Sequence, residues 1–120
     1  MKTRAVLSLS LLVLLSTVAL TAVAEEGTWT GEVLDLACYV AKGAKGADHA
    51  GCAKTCVKNG QPMGLLTDDG TLVLLAADHK NGEPYDALKD LAGQQASVTG
   101  ELAERDGMKV VTVTGSKAAS

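Results

Sequence analysis

The three cysteines of the chain and one of its two histidines lie in a single stretch, residues 35–62 (DLACYVAKGAKGADHAGCAKTCVKNGQP). Within it, His49, Cys52 and Cys56 follow the spacing H-x2-C-x3-C, and Cys38 precedes them. On a helix of about 3.6 residues per turn, the three residues of that spacing fall within roughly a 60° sector. Side chains three and four residues apart on a helix are neighbours, roughly 5–6 Å apart at Cβ. The spacing therefore predicts that these side chains can share one ligand.

Three thiols and one imidazole make a Cys3His donor set, which suits tetrahedral zinc. The same soft thiolates suit Cu(I). The spacing differs from the familiar zinc-finger pairs, from the C-x-x-C-H of covalent haem attachment and from the thioredoxin C-x-x-C. The sequence predicts a binding protein for one zinc or copper ion, with Cys38, His49, Cys52 and Cys56 as the ligands.

Two alternatives use the same cysteines without a metal. A disulfide from Cys38 to Cys52 or Cys56 would close a loop of about 15–19 residues and stabilise the folded state by on the order of 3 kcal/mol. The protein would then be a disulfide-stapled interaction module that holds no metal. In a thiol redox protein, Cys52 would attack and Cys56 or Cys38 would resolve. The odd number of cysteines favours metal, because a leftover thiol is an oxidation liability in an oxidising compartment. No Ser/His/Asp arrangement or phosphate-binding loop is present, so we expect no enzymatic activity other than this redox alternative.

Residues 1–24 have the pattern of a signal peptide. A basic start at Lys2 and Arg4 is followed by an almost wholly apolar or small run and by Ala22-Val23-Ala24, the A-x-A pattern of a cleavage site. We expect cleavage after Ala24, a periplasmic or secreted location and no stable membrane anchor afterwards. The alternative is a membrane-anchoring helix, since the apolar run approaches spanning length.

The charge balance limits the classes of partner. The formal net charge of the whole chain is −3, and removal of Lys2 and Arg4 makes it more acidic. An acidic surface argues against nucleic acid and against anionic membranes as partners. The metal ion is therefore the expected partner, and any protein partner is left open.

The predicted elements surround the cysteine stretch. A helix from His49, capped by Asp48, is expected to end at Asn59-Gly60, and a second short helix is expected to begin at Pro84 and to end before Gly93. The predicted strands are 28–36, 63–67, 71–76, 95–104 and 108–114, with turns at the Asp-Gly pairs. Three strands, a helix and two strands is the order of a five-stranded OB-like barrel, with the cysteine-bearing helix inserted between strands 1 and 2. This predicts one OB-like domain over 25–115 and a flexible tail over 116–120; a small open antiparallel sheet is the alternative.

Four segments together resemble small exported bacterial proteins with an OB-like barrel and a C-Y…H-x2-C-x3-C cluster: WTGEVLDLACY, HAGCAKTC, QPMGLLTDDGTLVLL and YDALKDLAGQQASVTG. The resemblance extends from Trp29 to about Val113. It implies an exported, barrel-shaped domain. It carries no established activity.

Overall fold

The computed structural model describes residues 24–120, which form a closed five-stranded barrel with strand order β1-β2-β3-β5-β4. The strands are β1 (Glu25–Asp35), β2 (Met63–Thr67), β3 (Leu72–Ala77), β4 (Gln95–Arg105) and β5 (Met108–Ala118). The barrel closes through a parallel pairing of β3 with β5, whereas the other pairs are antiparallel. The predicted fold class, a mainly β OB-like barrel with a cysteine-bearing helix between the first two strands, is confirmed. The signal-peptide prediction falls on residues 1–23, which lie outside the described range, and on Ala24.

Three short helices are present in the described residues, rather than the two that were expected. They are α1 (Leu36–Lys42), α2 (Ala50–Lys58) and α3 (Glu83–Leu88), with 3₁₀ turns at Ala47–His49 before α2 and at Lys89–Leu91 after α3. Asp35 caps the unexpected helix α1 by accepting a hydrogen bond from the backbone N–H of Cys38, and Gly43 ends it in the left-handed region at φ 69°. None of the helices in residues 24–120 has the length and apolar composition that a membrane crossing requires.

The core of the barrel is made of aliphatic side chains, as the composition requires in a chain without phenylalanine. The strands and α3 contribute most of it: Val33, Met63, Leu65, Val73, Leu75, Leu88, Val98, Val111 and Val113. Helix α2 adds Ala53 and Val57, each 1% exposed. The cysteine-bearing helix is therefore anchored in the barrel core on one of its faces, which fixes the position of its other residues.

The end of the chain differs from the expected flexible tail. Strand β5 continues to Ala118, and residues 116–118 pair with β4 in the register Val98↔Ser116 to Ala96↔Ala118. The Ser116 hydroxyl also donates to the carbonyl oxygen of Pro84 at 2.7 Å. This segment forms a strand because it pairs with the long strand β4, although its small and polar residues do not themselves favour a strand.

Candidate metal centre

Asp35 is the only charged residue that is buried in the described part of the chain, with 1% of its surface exposed. It lies where β1 ends and α1 begins. Its Oδ1 accepts from the backbone N–H of Cys38 at 3.2 Å, whereas its Oδ2 is buried without a hydrogen-bond partner among the described residues. A buried carboxylate oxygen without a partner is costly, since native structures almost always satisfy such groups.

Cys38 and His49 lie beside this carboxylate. Cys38 is in the first turn of α1, and His49 ends the 3₁₀ turn that precedes α2. Each of the residues Asp35, Cys38 and His49 offers one ligand atom, and the three atoms all lie within 4.8 Å of one another. His49 Nε2 is a second buried polar atom that has no hydrogen-bond partner within residues 24–120. The group can therefore hold a metal ion.

The loop that brings His49 to this group is held by two backbone hydrogen bonds. The N–H of Gly46 donates to a carboxylate oxygen of Glu32 on β1, and the N–H of His49 donates to the carbonyl oxygen of Gly46 at 3.1 Å. These contacts connect the segment before α2 to the strand that ends at Asp35. The stretch before His49, residues 42–47, thus positions the imidazole.

The separations fit the dimensions of a metal site. Zinc binds carboxylate oxygen, imidazole nitrogen and thiolate sulfur at about 2.0–2.3 Å, so tetrahedral ligands of one ion lie roughly 3.3–3.8 Å apart. The limit of 4.8 Å on the three atoms exceeds this spacing by about 1.5 Å at most, a difference that side-chain rotations can close. The donor set of one oxygen, one nitrogen and one sulfur is also one that zinc accepts.

The two cysteines on α2 lie outside this group of three. Cys52 is exposed and Cys56 is half-buried. Of the four ligands predicted from the sequence, the structure thus brings together Cys38 and His49, and a ligand role for Cys52 and Cys56 stays a prediction. All three cysteines of the described residues are free thiols, and no disulfide joins Cys38 to α2.

Asp35 couples electrostatically to thiols on both helices. Its interaction with the Cys56 thiol, joined by burial and by the Cys52 thiol, raises the pKa of Cys56 to about 11. Its interaction with the Cys38 thiol, again joined by burial, raises the pKa of Cys38. Burial raises the pKa of Asp35 itself, but the favourable interactions of the carboxylate with the Cys38 and Cys56 thiols and with the Cys38 N–H outweigh it and lower that pKa overall. The carboxylate therefore stays ionised at neutral pH, next to two thiols whose raised pKa values keep them protonated.

Asp35 is the site residue that sequence reasoning missed. It falls within the predicted strand 28–36, and no motif marks it as a ligand. A usable signal was nevertheless present: an Asp after an apolar strand, followed three residues later by Cys38, has the spacing of a helix N-cap. That reading would have placed the carboxylate and the thiol on the same side of the first turn of α1.

The site thus consists of the Asp35 carboxylate, the Cys38 thiol and the His49 imidazole, at the junction of β1, α1 and the turn before α2. The thiol of Cys56, on α2, lies beside the carboxylate. Comparison of the chain with models of protein families, with curated proteins and with solved structures finds no match.

Proposed function

We propose that this protein is a non-enzymatic binding module that holds one metal ion of the zinc or copper class at Asp35, Cys38 and His49. The observation that carries the proposal is a pair of buried polar atoms, Asp35 Oδ2 and His49 Nε2, which belong to a single group of three donors and have no hydrogen-bond partner in the described part of the chain. A cation at this point would pair with both atoms and remove the cost of their burial.

Cys56 is the best-placed fourth ligand. Its thiol interacts with the Asp35 carboxylate from α2, whereas Cys38 interacts with the same carboxylate from α1. The fourth ligand would thereby come from a separate helix, and the ion would connect α1, α2 and the end of β1. Cys52 is exposed, so a ligand role at the buried centre suits it less.

The donor set favours zinc over Cu(I). Zinc binds oxygen, nitrogen and sulfur donors, whereas Cu(I) selects soft thiolates and gains little from a carboxylate. A Cu(I) site would use the thiols of Cys38, Cys52 and Cys56 and leave Asp35 outside the coordination shell. Zinc would thus use Asp35 as a ligand and Cu(I) would not, so substitution of Asp35 can distinguish the two metals.

The proposal is tested by metal content and competition titration. Protein purified without added chelator should carry one zinc or copper ion per chain, and the apo form should bind Zn²⁺ in competition with a chromophoric chelator. Cys38→Ser and His49→Ala should each weaken binding at least roughly tenfold, because each removes a ligand. His79→Ala is the matched control, since His79 is the other histidine of the chain and lies exposed in a polar loop after β3.

A metal-free protein whose apo form shows no Zn²⁺ or Cu(I) binding would refute the proposal. Equal affinities of His49→Ala and His79→Ala would exclude His49 as a ligand. A visible spectrum of bound Co²⁺ without thiolate-to-metal absorption would exclude Cys38.

Export is the second component of the proposal, and the pattern of residues 1–24 supports it. N-terminal sequencing of protein recovered from the periplasm or medium of a bacterial host should begin at Glu25. Retention of the full chain in the cell interior would contradict export without affecting the metal site.

A further inference from the structure

The two thiols of α2 differ in their exposure to solvent. Cys52 is exposed, Cys56 is half-buried, and Asp35 is 1% exposed. Cys52 and Cys56 are four residues apart on α2, a spacing that places them on one face of the helix. The Cys52 thiol interacts with that of Cys56, and Cys56 in turn interacts with Asp35. The helical spacing therefore places the exposed thiol of Cys52 next to the half-buried thiol of Cys56.

The number of donors exceeds what one tetrahedral ion requires. Asp35, Cys38, His49 and Cys56 would fill the four positions of zinc. Cys52 is then a fifth donor, adjacent to a ligand and open to solvent. The helix surface at the preceding residue is also open, since a Cβ placed at Gly51 would meet no described atom within 4 Å. The second observation is Asp35 Oδ2, a buried oxygen without a hydrogen-bond partner among the described residues, which is the inner site that the ion would reach.

Building on the proposed metal site, we infer that Cys52 is a transfer ligand that exchanges the ion with an external donor. The donor is a metal carrier that presents its ion through exchangeable thiolate or carboxylate ligands. Cys52 and Cys56 would bind the ion first, and the inner donors would complete its coordination.

The exchange is balanced without any change of oxidation state. The Cys52 thiol releases its proton to solvent as its sulfur–metal bond forms and one bond between the metal and the donor breaks. The Cys56 thiol does the same as the second donor bond breaks. The Asp35 carboxylate and the Cys38 sulfur, which releases its proton to solvent, then replace the two remaining ligands of the donor. Neutral His49 nitrogen binds the metal last, while the bond to Cys52 breaks and the Cys52 sulfur takes a proton back from solvent. Release to an acceptor follows the same steps in reverse.

A transfer ligand and an ordinary ligand differ in how their removal changes the rate of metal release. Removal of a ligand from a bound ion speeds release, because the ion is held by fewer bonds. Removal of a transfer ligand slows uptake and release together, because both directions pass through it. The effects of Cys52 and Cys56 substitutions on the release rate should therefore have opposite signs.

The experiment is stopped-flow transfer of Zn²⁺ from a chromophoric chelator to the apo protein, and from the zinc-loaded protein to EDTA. For wild type, the uptake rate should rise with protein concentration, as direct exchange requires. Cys52→Ser should slow uptake and release at least roughly tenfold each, whereas Cys56→Ser should speed release. Thr55→Ser is the control on α2, because Thr55 is exposed and its hydroxyl donates to the Gly51 carbonyl.

Three outcomes would overturn the inference. Uptake and release by Cys52→Ser at the wild-type rates would leave Cys52 without a role in transfer. Faster release from Cys52→Ser would make Cys52 an ordinary ligand, with the proposed metal site intact. Absence of Zn²⁺ binding by wild type at equilibrium would instead remove the metal site itself, and the transfer role with it.

Discussion

Gly93 lies against Ala50, the first residue of α2, so closely that a Cβ at position 93 would fall 2.5 Å from the Ala50 Cα. The Gly93 backbone has a positive φ of 79°, and its N–H donates to the carbonyl oxygen of Val33 on β1 at 2.7 Å. The segment between α3 and β4 thus forms the surface on which α2 begins. Because His49 directly precedes Ala50, this contact also fixes the position of the imidazole.

We expect Gly93→Ala to lower both stability and zinc affinity. The new methyl group must displace the start of α2, and the positive φ adds strain, so the free energy of unfolding should fall by about 1–3 kcal/mol. Displacement of His49 should weaken zinc binding as well. Urea unfolding and competition titration measure the two effects.

Gly100→Ala is the matched control for this prediction. A Cβ at Gly100 would fall 2.1 Å from the carbonyl oxygen of Thr112, in the β4–β5 pairing. Stability should fall here too, but the zinc affinity of the folded protein should not change. Equal losses of affinity in the two variants would show that Gly93 does not position the site.

The barrel could be predicted from the sequence because its strands alternate and its turns contain Asp-Gly pairs. The site could be predicted only in part: Cys38 and His49 do come together, but the expected helix face does not form, because His49 lies in a 3₁₀ turn ahead of α2 and the regular 100° spacing does not extend to it. Its imidazole meets Cys38 instead of following the cysteines of α2. The burial of Asp35 depends on the path of the whole inserted segment, a long-range property that no local pattern encodes.

Asp35→Asn separates the charge of the carboxylate from its capping role. The amide oxygen can still accept from the Cys38 N–H, so α1 should keep its N-cap, whereas Asp35→Ala should also lose about 1 kcal/mol of stability. Zinc affinity should fall at least roughly tenfold in Asp35→Asn. Cu(I) affinity should fall much less if copper uses only the thiols. Parallel titrations with both ions measure the difference, and an unchanged zinc affinity would remove Asp35 from the ligand set.

Deletion of residues 116–120 should destabilise the barrel. It removes the partners of Ala96 and Val98, which are both fully buried on β4, and the hydrogen bond from Ser116 to Pro84. We expect the free energy of unfolding to fall by at least about 2 kcal/mol. Deletion of Ser120 alone, which follows the last paired residues, is the control. Identical denaturation curves for the two truncations would mean that the end of β5 adds nothing to stability.

The turn between β2 and β3 should make stability depend on pH through Asp69. Its Oδ1 accepts hydrogen bonds from the Thr67 hydroxyl and, at 3.0 Å, from the Thr71 N–H, and these bonds lower its pKa. The folded-state pKa thus lies below the unfolded value of about 3.9. The stabilisation is present above the unfolded pKa and is lost as the pH falls through the folded pKa.

Asp69→Asn keeps an acceptor oxygen but does not titrate, so it isolates this effect. The stability advantage of wild type over Asp69→Asn should be constant at neutral pH and should shrink below about pH 4. Urea unfolding of both proteins across this range measures it. A difference that does not vary with pH would assign no stabilising role to the ionised carboxylate.

Helix α2 contributes Ala53 and Val57 to the barrel core and carries Cys56 beside Asp35. An ion bound by this helix would therefore be released when the barrel opens. At a free concentration 100 times its Kd, such an ion would add about 2.7 kcal/mol to the free energy of unfolding and would lower the population of opened chains roughly a hundredfold. Proteases degrade opened chains in proportion to that population. The abundance of the protein would then follow the metal supply of its compartment, with no dedicated sensor, because chains without metal would be degraded first.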